Sequence, residues 1–505
     1  MTKKKEITLI KSSRIFDSKG DVSIENGALL IEDDQIVQVG SEKDIKVPEG
    51  ATATEFKYED ATVLPGLVDC HVHLIGIPDG RAGDEVAVES DEVLTLQAAR
   101  NARIHLYSGV TTIRDCGAKN KTTFMLKEAV KMGITPAPRL IICGRPLAII
   151  GGHLSYFGIE ATGVDECIAN VRQLMKEGSD FIKITATGGS TRTSYPFLPS
   201  FNVDELTAII NETHKFGKHT VAHCASSQGM INALDANIDT IVHGYYKEPD
   251  GSYLYKPEIS ERLVKQNVYV NPTLHQGTET YDALTSKAQV QTLTDVEKDK
   301  INTFKSSREV SIENITRMRE DGVNLVCGSD SAWNHYKMGE FQKEILTHVE
   351  VGMSEAEAIR SATIESARSC DVDNIVGTLE SGKQADLLVV KGNPVENIND
   401  ILVNKNNIDG LSIIKIIFAV FISRTYRRHY NIIDDEISEY EIKAQINCLK
   451  KLNLNNLSTF WDRIYDIMNQ AILFNLNKKQ TVLEIINDLT KLLNNEENYI
   501  LNDDK

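Results

Sequence analysis

Two histidines close the run PGLVDCHVHL, His71 and His73, one residue apart at the end of an otherwise apolar stretch. Side chains alternate faces along a strand, so these imidazoles project together. Two neutral imidazoles on one face can grip a divalent ion; a surface histidine or a satisfied core histidine is the ordinary alternative. Other apolar runs end in the same manner. HTVAHC delivers His223, DTIVHG delivers His243 and NLVCGSD delivers Asp330. Each has its own plain explanation, Asp330 as a turn residue or helix cap among them, but together they point to metal chemistry. DFIKITATGG adds a fifth oddity by placing Lys183 inside an apolar strand, where an unpaired ammonium is very costly. Such a lysine pairs with a carboxylate or snorkels outward. Beside two metal ions it has another course: it adds carbon dioxide and becomes a carbamate, an anionic two-oxygen bridge between ions about 3.5–4 Å apart.

The elements that must position these residues follow from the rhythm of the chain. Residues 6 to about 64 alternate short β-rich runs with turns, which predicts a small antiparallel sheet. From 65 to about 370, eight apolar runs (PGLVDCH, GVTTIRDCG, RLIICG, DFIKITATGG, HTVAHC, DTIVHG, VYVNPT, NLVCGSD) alternate with helical patterns. Two of these helices carry start signals, Asn202 with Glu205 and Ser354 with Glu357. The alternation predicts an α/β fold, a parallel (β/α)8 TIM-like barrel, with its chemistry at the C-terminal ends of the strands. A doubly wound open sheet has a similar rhythm. The run GTLESGKQADLLVVKGNPVENINDI returns to short strands, available to pair with the N-terminal ones and complete a small β-sandwich-like domain. All 32 glycines and 12 prolines lie at or before Gly410. The expected organisation is therefore 1–64 and 371–410 as the small β domain, 65–370 as the barrel, and 411–505 as an atypical helical tail. That tail reads either as a fused or frame-shifted segment or as an interaction module.

A chain of 505 residues with a formal charge of −17 argues against nucleic acid or an anionic membrane as partner. The eight cysteines form no C-x-x-C pair, which favours a reducing compartment. The N-terminus has no apolar leader and no run is long enough to span a bilayer. A cytoplasmic protein acting on a small molecule is expected, with a homo-oligomer left open.

The ordered set PGLVDCHVHL, FIKITATGG, VAHC, TIVHG, GSD and GTLESGKQADLLVV resembles the amidohydrolase superfamily over residues 1 to about 408. The resemblance implies a binuclear centre of two divalent ions, zinc first among them. His71 and His73 with Asp330 hold the buried ion, His223 and His243 the exposed one, and carboxylated Lys183 bridges them. It also implies hydrolysis of an amide or related acyl bond: the metals ionise a bridging water, Asp330 takes its proton and returns it to the leaving amine, and one metal polarises the carbonyl. ICGRPLAIIGGHLSYFG is similar to the branch of Xaa-Pro dipeptidases, carboxypeptidase-like enzymes and ochratoxin-type amidases. There His153 would hydrogen-bond the substrate carbonyl, with Arg192 and Tyr195 as candidates for gripping a substrate carboxylate. Ala225 stands where many dipeptidase-like relatives carry tyrosine, which counts against a strict peptidase. Lys183, and Ser226 in place of a glutamate, disfavour a mononuclear deaminase. Imidazolonepropionase-type cyclic amide hydrolysis and a catalytically inactive scaffold are the remaining alternatives.

Overall fold

The computed structural model of the chain describes residues 5–402. The tail expected over 411–505, and Cys448 within it, lie outside the described residues. Four strands open the chain: β1 (Ile7–Ile15), β2 (Ile24–Glu32), β3 (Gln35–Ser41) and β4 (Thr54–Pro65). Ten follow: β5 (Leu67–Val72), β6 (Val110–Asp115), β7 (Arg139–Ile142), β8 (Leu147–Ala148), β9 (Ile159–Glu160), β10 (Ile182–Ile184), β11 (Thr220–Ser226), β12 (Thr240–Lys247), β13 (Tyr269–Asn271) and β14 (Asn324–Leu325). The last, β15 (Leu387–Lys391), returns to the first sheet.

That sheet has the order β15-β4-β1-β2-β3. The alternating N-terminal runs predicted antiparallel pairing throughout, and the structure corrects this. β1–β2, β2–β3 and β15–β4 are antiparallel, whereas β4 lies parallel to β1. A period of two marks which face is buried but carries no strand direction. The apolar face is held by Ile10, Ile15, Leu29, Ile31, Ile36 and Val63.

The eight apolar runs are β5, β6, β7 and β10 through β14, and every pairing among neighbouring strands of this set is parallel. They form a three-stranded sheet β5-β6-β7 and a seven-stranded sheet ending at β14, with the short β8 and β9 on its other edge. Backbone hydrogen bonds tie the two sheets on both sides: Asp180 N–H donates to Ile142 O (2.8 Å), and Cys70 N–H to Cys327 O (3.2 Å). Every residue of β5 and β11 is buried, as expected where helices cover a parallel sheet.

Helices start where the sequence signals placed them. Asn202 accepts from Glu205 N–H (2.9 Å) while Glu205 accepts from Asn202 N–H (3.0 Å), opening helix Val203–Lys215. Ser354 and Glu357 do the same for helix Glu355–Ser361. The seven cysteines of the described residues are buried free thiols. Among the described residues no helix is long and apolar enough to cross a membrane.

Candidate metal centre

His71 lies in β5 and His73 just beyond it, and both Nε2 atoms stand 3.4 Å from the same Asp330 oxygen, Oδ1. Asp330 does not end β14 itself. It lies beyond that strand, on a segment laced to β5 by Asp330 N–H to His71 O (2.7 Å) and His73 N–H to Ser331 O (2.6 Å). His223 and His243 likewise sit within their strands rather than at the ends, since β11 and β12 continue to Ser226 and Lys247. His243 has φ +76° and Asp330 φ +55°, a left-handed conformation that costs a non-glycine residue about 1–3 kcal/mol and is held by the surrounding bonds.

The rings form a connected cluster. Centroids lie 5.4 Å apart for His71 and His73, 5.8 Å for His71 and His243, 4.6 Å for His243 and His223, and 4.4 Å for His223 and His153. Lys183, 1% exposed, points Nζ at His71 Nε2 (3.5 Å). Among the described residues it has no carboxylate within ion-pair distance. Sequence-expected residues from six strands, or from the segments that follow them, thus meet in one buried place.

Outer partners set which nitrogen of each ring is free. Asn271 donates its amide to the carbonyls of Gly328 (3.0 Å) and Val326 (3.3 Å), so its Oδ1 accepts from His71 Nδ1 (3.0 Å). Gly117 O accepts from His73 Nδ1 (2.9 Å), and Gly188 O accepts from His223 Nε2 (3.0 Å). A carbonyl only accepts, so His71 and His73 keep the Nε2 lone pair and His223 the Nδ1 lone pair. His243 Nδ1 pairs with the Thr273 hydroxyl (2.7 Å), which also meets the Tyr245 hydroxyl (3.0 Å). Burial drives all these imidazoles below their ordinary value, His73 and His153 to about 3 and the others well below 6.5, which leaves neutral nitrogen donors. Burial pushes the Asp330 carboxyl up to about 7, with Lys183 acting against it. Four neutral imidazoles, a carboxylate and a buried lysine with no counter-charge suit one or two divalent cations. His71, His73 and Asp330 bring their ligand atoms within 4.8 Å of one another.

His153 packs over Gly189, where a Cβ would meet its ring at 2.6 Å, and its Nδ1 pairs with Thr191 Oγ1 (3.0 Å). Arg192 and Tyr195 lie on the same loop but face solvent, Tyr195 being 76% exposed. Sequence reasoning missed the segment that begins at the last residue of β13, in which Asn271, Thr273 and Gln276 hydrogen-bond His71, His243 and Asp330 respectively. It is anchored by buried Glu344, which accepts from Leu274 N–H (2.8 Å) and His275 N–H (2.7 Å). The signal was present in VYVNPT, an apolar run closed by a polar residue like the runs that carry the histidines. Asp69 was also missed. It accepts from His71 N–H (3.1 Å), Ser329 N–H (3.0 Å), Ser329 Oγ (2.6 Å) and His105 Nε2 (3.0 Å), clamping the histidine strand to the aspartate segment.

Known proteins share this arrangement of strands. Residues 62–413 match the model of the amidohydrolase family. The chain is 24% identical over 431 residues to ochratoxinase of Aspergillus niger, covering 79% of this chain and 84% of that one. A solved Xaa-Pro dipeptidase with methionine bound in its active site is similar at 27% identity and a TM-score of 0.67, covering 78% of this chain and 96% of that one. A solved amidohydrolase gives 29% identity and a TM-score of 0.66, covering 78% and 95%. The chain belongs to the amidohydrolase family, and is a hydrolase acting on carbon–nitrogen bonds.

Proposed function

We propose that the chain hydrolyses the amide bond of a small, dipeptide-like or N-acyl substrate at a centre of two divalent ions, zinc being the first choice. His71, His73 and Asp330 would hold one ion, His223 and His243 the other, with Lys183 as a carbamate between them. The observation that carries this reading is Lys183 itself: a lysine 1% exposed, among neutral imidazoles, with no carboxylate in ion-pair reach among the described residues. As an ammonium it is expensive there; as a carbamate it is an anion where cations belong.

When bound, such ions polarise a carbonyl and ionise a water near neutral pH. The chain's own residues do the rest. Asp330 can take a proton and return it to the leaving amine, while Gln276 Nε2 (3.1 Å) holds its Oδ2 in place. Thr191 accepts from Leu154 N–H (3.1 Å) and its hydroxyl meets His153 Nδ1 (3.0 Å), which fixes the ring and leaves His153 Nε2 as the nitrogen available to a substrate carbonyl. The names of the relatives, an ochratoxinase and a Xaa-Pro dipeptidase, favour a linear amide over a cyclic one. In this reading the two parallel sheets close as one (β/α)8 barrel over 65–370. The five-stranded sheet is its sandwich-like companion, built from 1–64 and 371–410. A cytoplasmic enzyme, as a monomer or homo-oligomer, fits the same reading.

Metal analysis of protein produced with zinc and bicarbonate, beside Lys183→Ala, tests it. Two ions per chain with metal-dependent amidase activity are expected, and loss of both in the variant. One ion in both proteins would make Lys183 structural, and no metal in well-folded protein would leave a scaffold.

A further inference from the structure

β12 carries His243 and then continues outward through Tyr245 to Lys247. The Tyr245 ring lies 5.4 Å from the His243 ring, and the Lys247 ammonium lies 5.8 Å from the Tyr245 centroid. Two further rings face that ammonium at 5.3 Å: Phe197, from the loop that also carries Thr191, and Tyr253, from the turn after β12. The turn is folded back by the Lys247–Tyr253 bridge and by Glu248 N–H to Ser252 O (2.9 Å). Lys247 is half-buried, and among the described residues its Nζ has neither a hydrogen-bond acceptor nor a carboxylate partner. The adjacent acid, Glu248, is already paired with Lys256 (2.8 Å).

Aromatic faces attract a cation but offer no lone pair to its three N–H groups. The three rings therefore fix the ammonium and strip part of its water, yet leave its donors unspent, one ring above a candidate ligand of the metal centre. A charge-assisted hydrogen bond to a carboxylate would satisfy them. We propose that Lys247 anchors the free carboxylate of the substrate, which makes the substrate class an N-acyl amino acid or dipeptide rather than a neutral amide. The rings of Phe197 and Tyr253 then form an apolar wall for the side chain beside that carboxylate. This rests on the amide-hydrolase reading above and names its substrate class.

The test pairs N-acetyl-L-phenylalanine with its carboxamide, measuring both binding by calorimetry and hydrolysis on the metal-loaded full chain. Parent, Lys247→Met and Lys247→Arg are compared. A hydrogen bond to a charged group corresponds to about ten- to a hundredfold in affinity. The parent should prefer the acid by about that factor. Lys247→Met should collapse the acid-to-amide ratio to near one through KM, and Lys247→Arg should restore most of it. The ratio is internally normalised, because both ligands meet the same folded fraction. A parent without preference, or a ratio unchanged in Lys247→Met, overturns the anchor while leaving amide hydrolysis intact. Acid binding that depends on Lys247 without any hydrolysis supports the anchor and overturns the proposed reaction.

Discussion

Asn271 is the position at which assembly of the centre and stability of the fold can be separated. Asn271→Leu keeps the branched side-chain outline in a somewhat larger form but leaves the His71 Nδ1–H without its acceptor and takes a donor from the carbonyls of Gly328 and Val326. Each buried group so stripped costs about 1–3 kcal/mol, and partial relaxation brings the expected loss of folding free energy to about 2–5 kcal/mol. The His71 ring also becomes free to turn and to move its proton to Nε2. Loss of such an outer partner typically weakens metal binding by about 10–100-fold, or about 1.4–2.8 kcal/mol. Asn271→Asp divides the two effects: a carboxylate still accepts from His71 but cannot donate to either carbonyl. Urea unfolding of metal-free protein and zinc competition against a chromophoric chelator read them independently. Leucine should lower both quantities, and aspartate should lower stability while retaining zinc affinity. If Asn271→Leu binds zinc as tightly as the parent, the amide does not hold the His71 tautomer and the reasoning fails.

Three further outcomes are expected. Asp69→Ala removes the acceptor of four hydrogen bonds from a fully buried site, so denaturant unfolding should show a loss of about 3–5 kcal/mol; a loss below about 1 kcal/mol would mean that the clamp is dispensable. Burial holds the Glu344 carboxyl up to about 8, above the ordinary 4.5, so the folded chain keeps a proton that the unfolded chain releases. The stability contributed by this carboxyl should therefore fall as pH rises from about 4.5 to 8, so the difference in stability between the parent and Glu344→Gln should shrink over that range, whereas parallel pH curves for the two proteins would refute it. A Cβ at Gly328 would meet His71 Cβ at 2.7 Å and Asn271 Oδ1 at 2.9 Å. Gly328→Ala should thus cost about 1–3 kcal/mol and lower bound metal in elemental analysis, and normal metal content would contradict it.

The strands and the residues they carry were legible because both depend on local pattern. A short apolar run bounded by turn residues marks a covered strand, and a polar residue at its close stands out against that background. His71, His73, His223, His243 and Asp330 were found on those grounds and Lys183 as a charge inside such a run, and the structure gathers them around one point. The residues that hold them were not. Glu344 serves the segment after β13 from a helix about seventy positions away, and Asp69 reaches Ser329 across most of the chain. Such pairings depend on which segments meet in space, and neither periodicity nor spacing encodes that. The direction of β4 was lost for the same reason. His243 and Asp330 also take backbone conformations that a regular strand lacks, so the strand-end reading located them only approximately.

The pairing of β4 has a consequence for synthesis of the chain. β4 passes through Gly66 directly into the histidine strand, and among the described residues its edge away from β1 is covered by β15, with Leu387 opposite Pro65. On the ribosome, about three hundred residues must emerge before that edge is closed. Until then the apolar row Ala61–Pro65 is an open template for any passing strand. A chain that stops short of Leu387 would retain every candidate metal ligand and still be unfit for the cell, because the exposed edge would direct it to aggregation or to a chaperone.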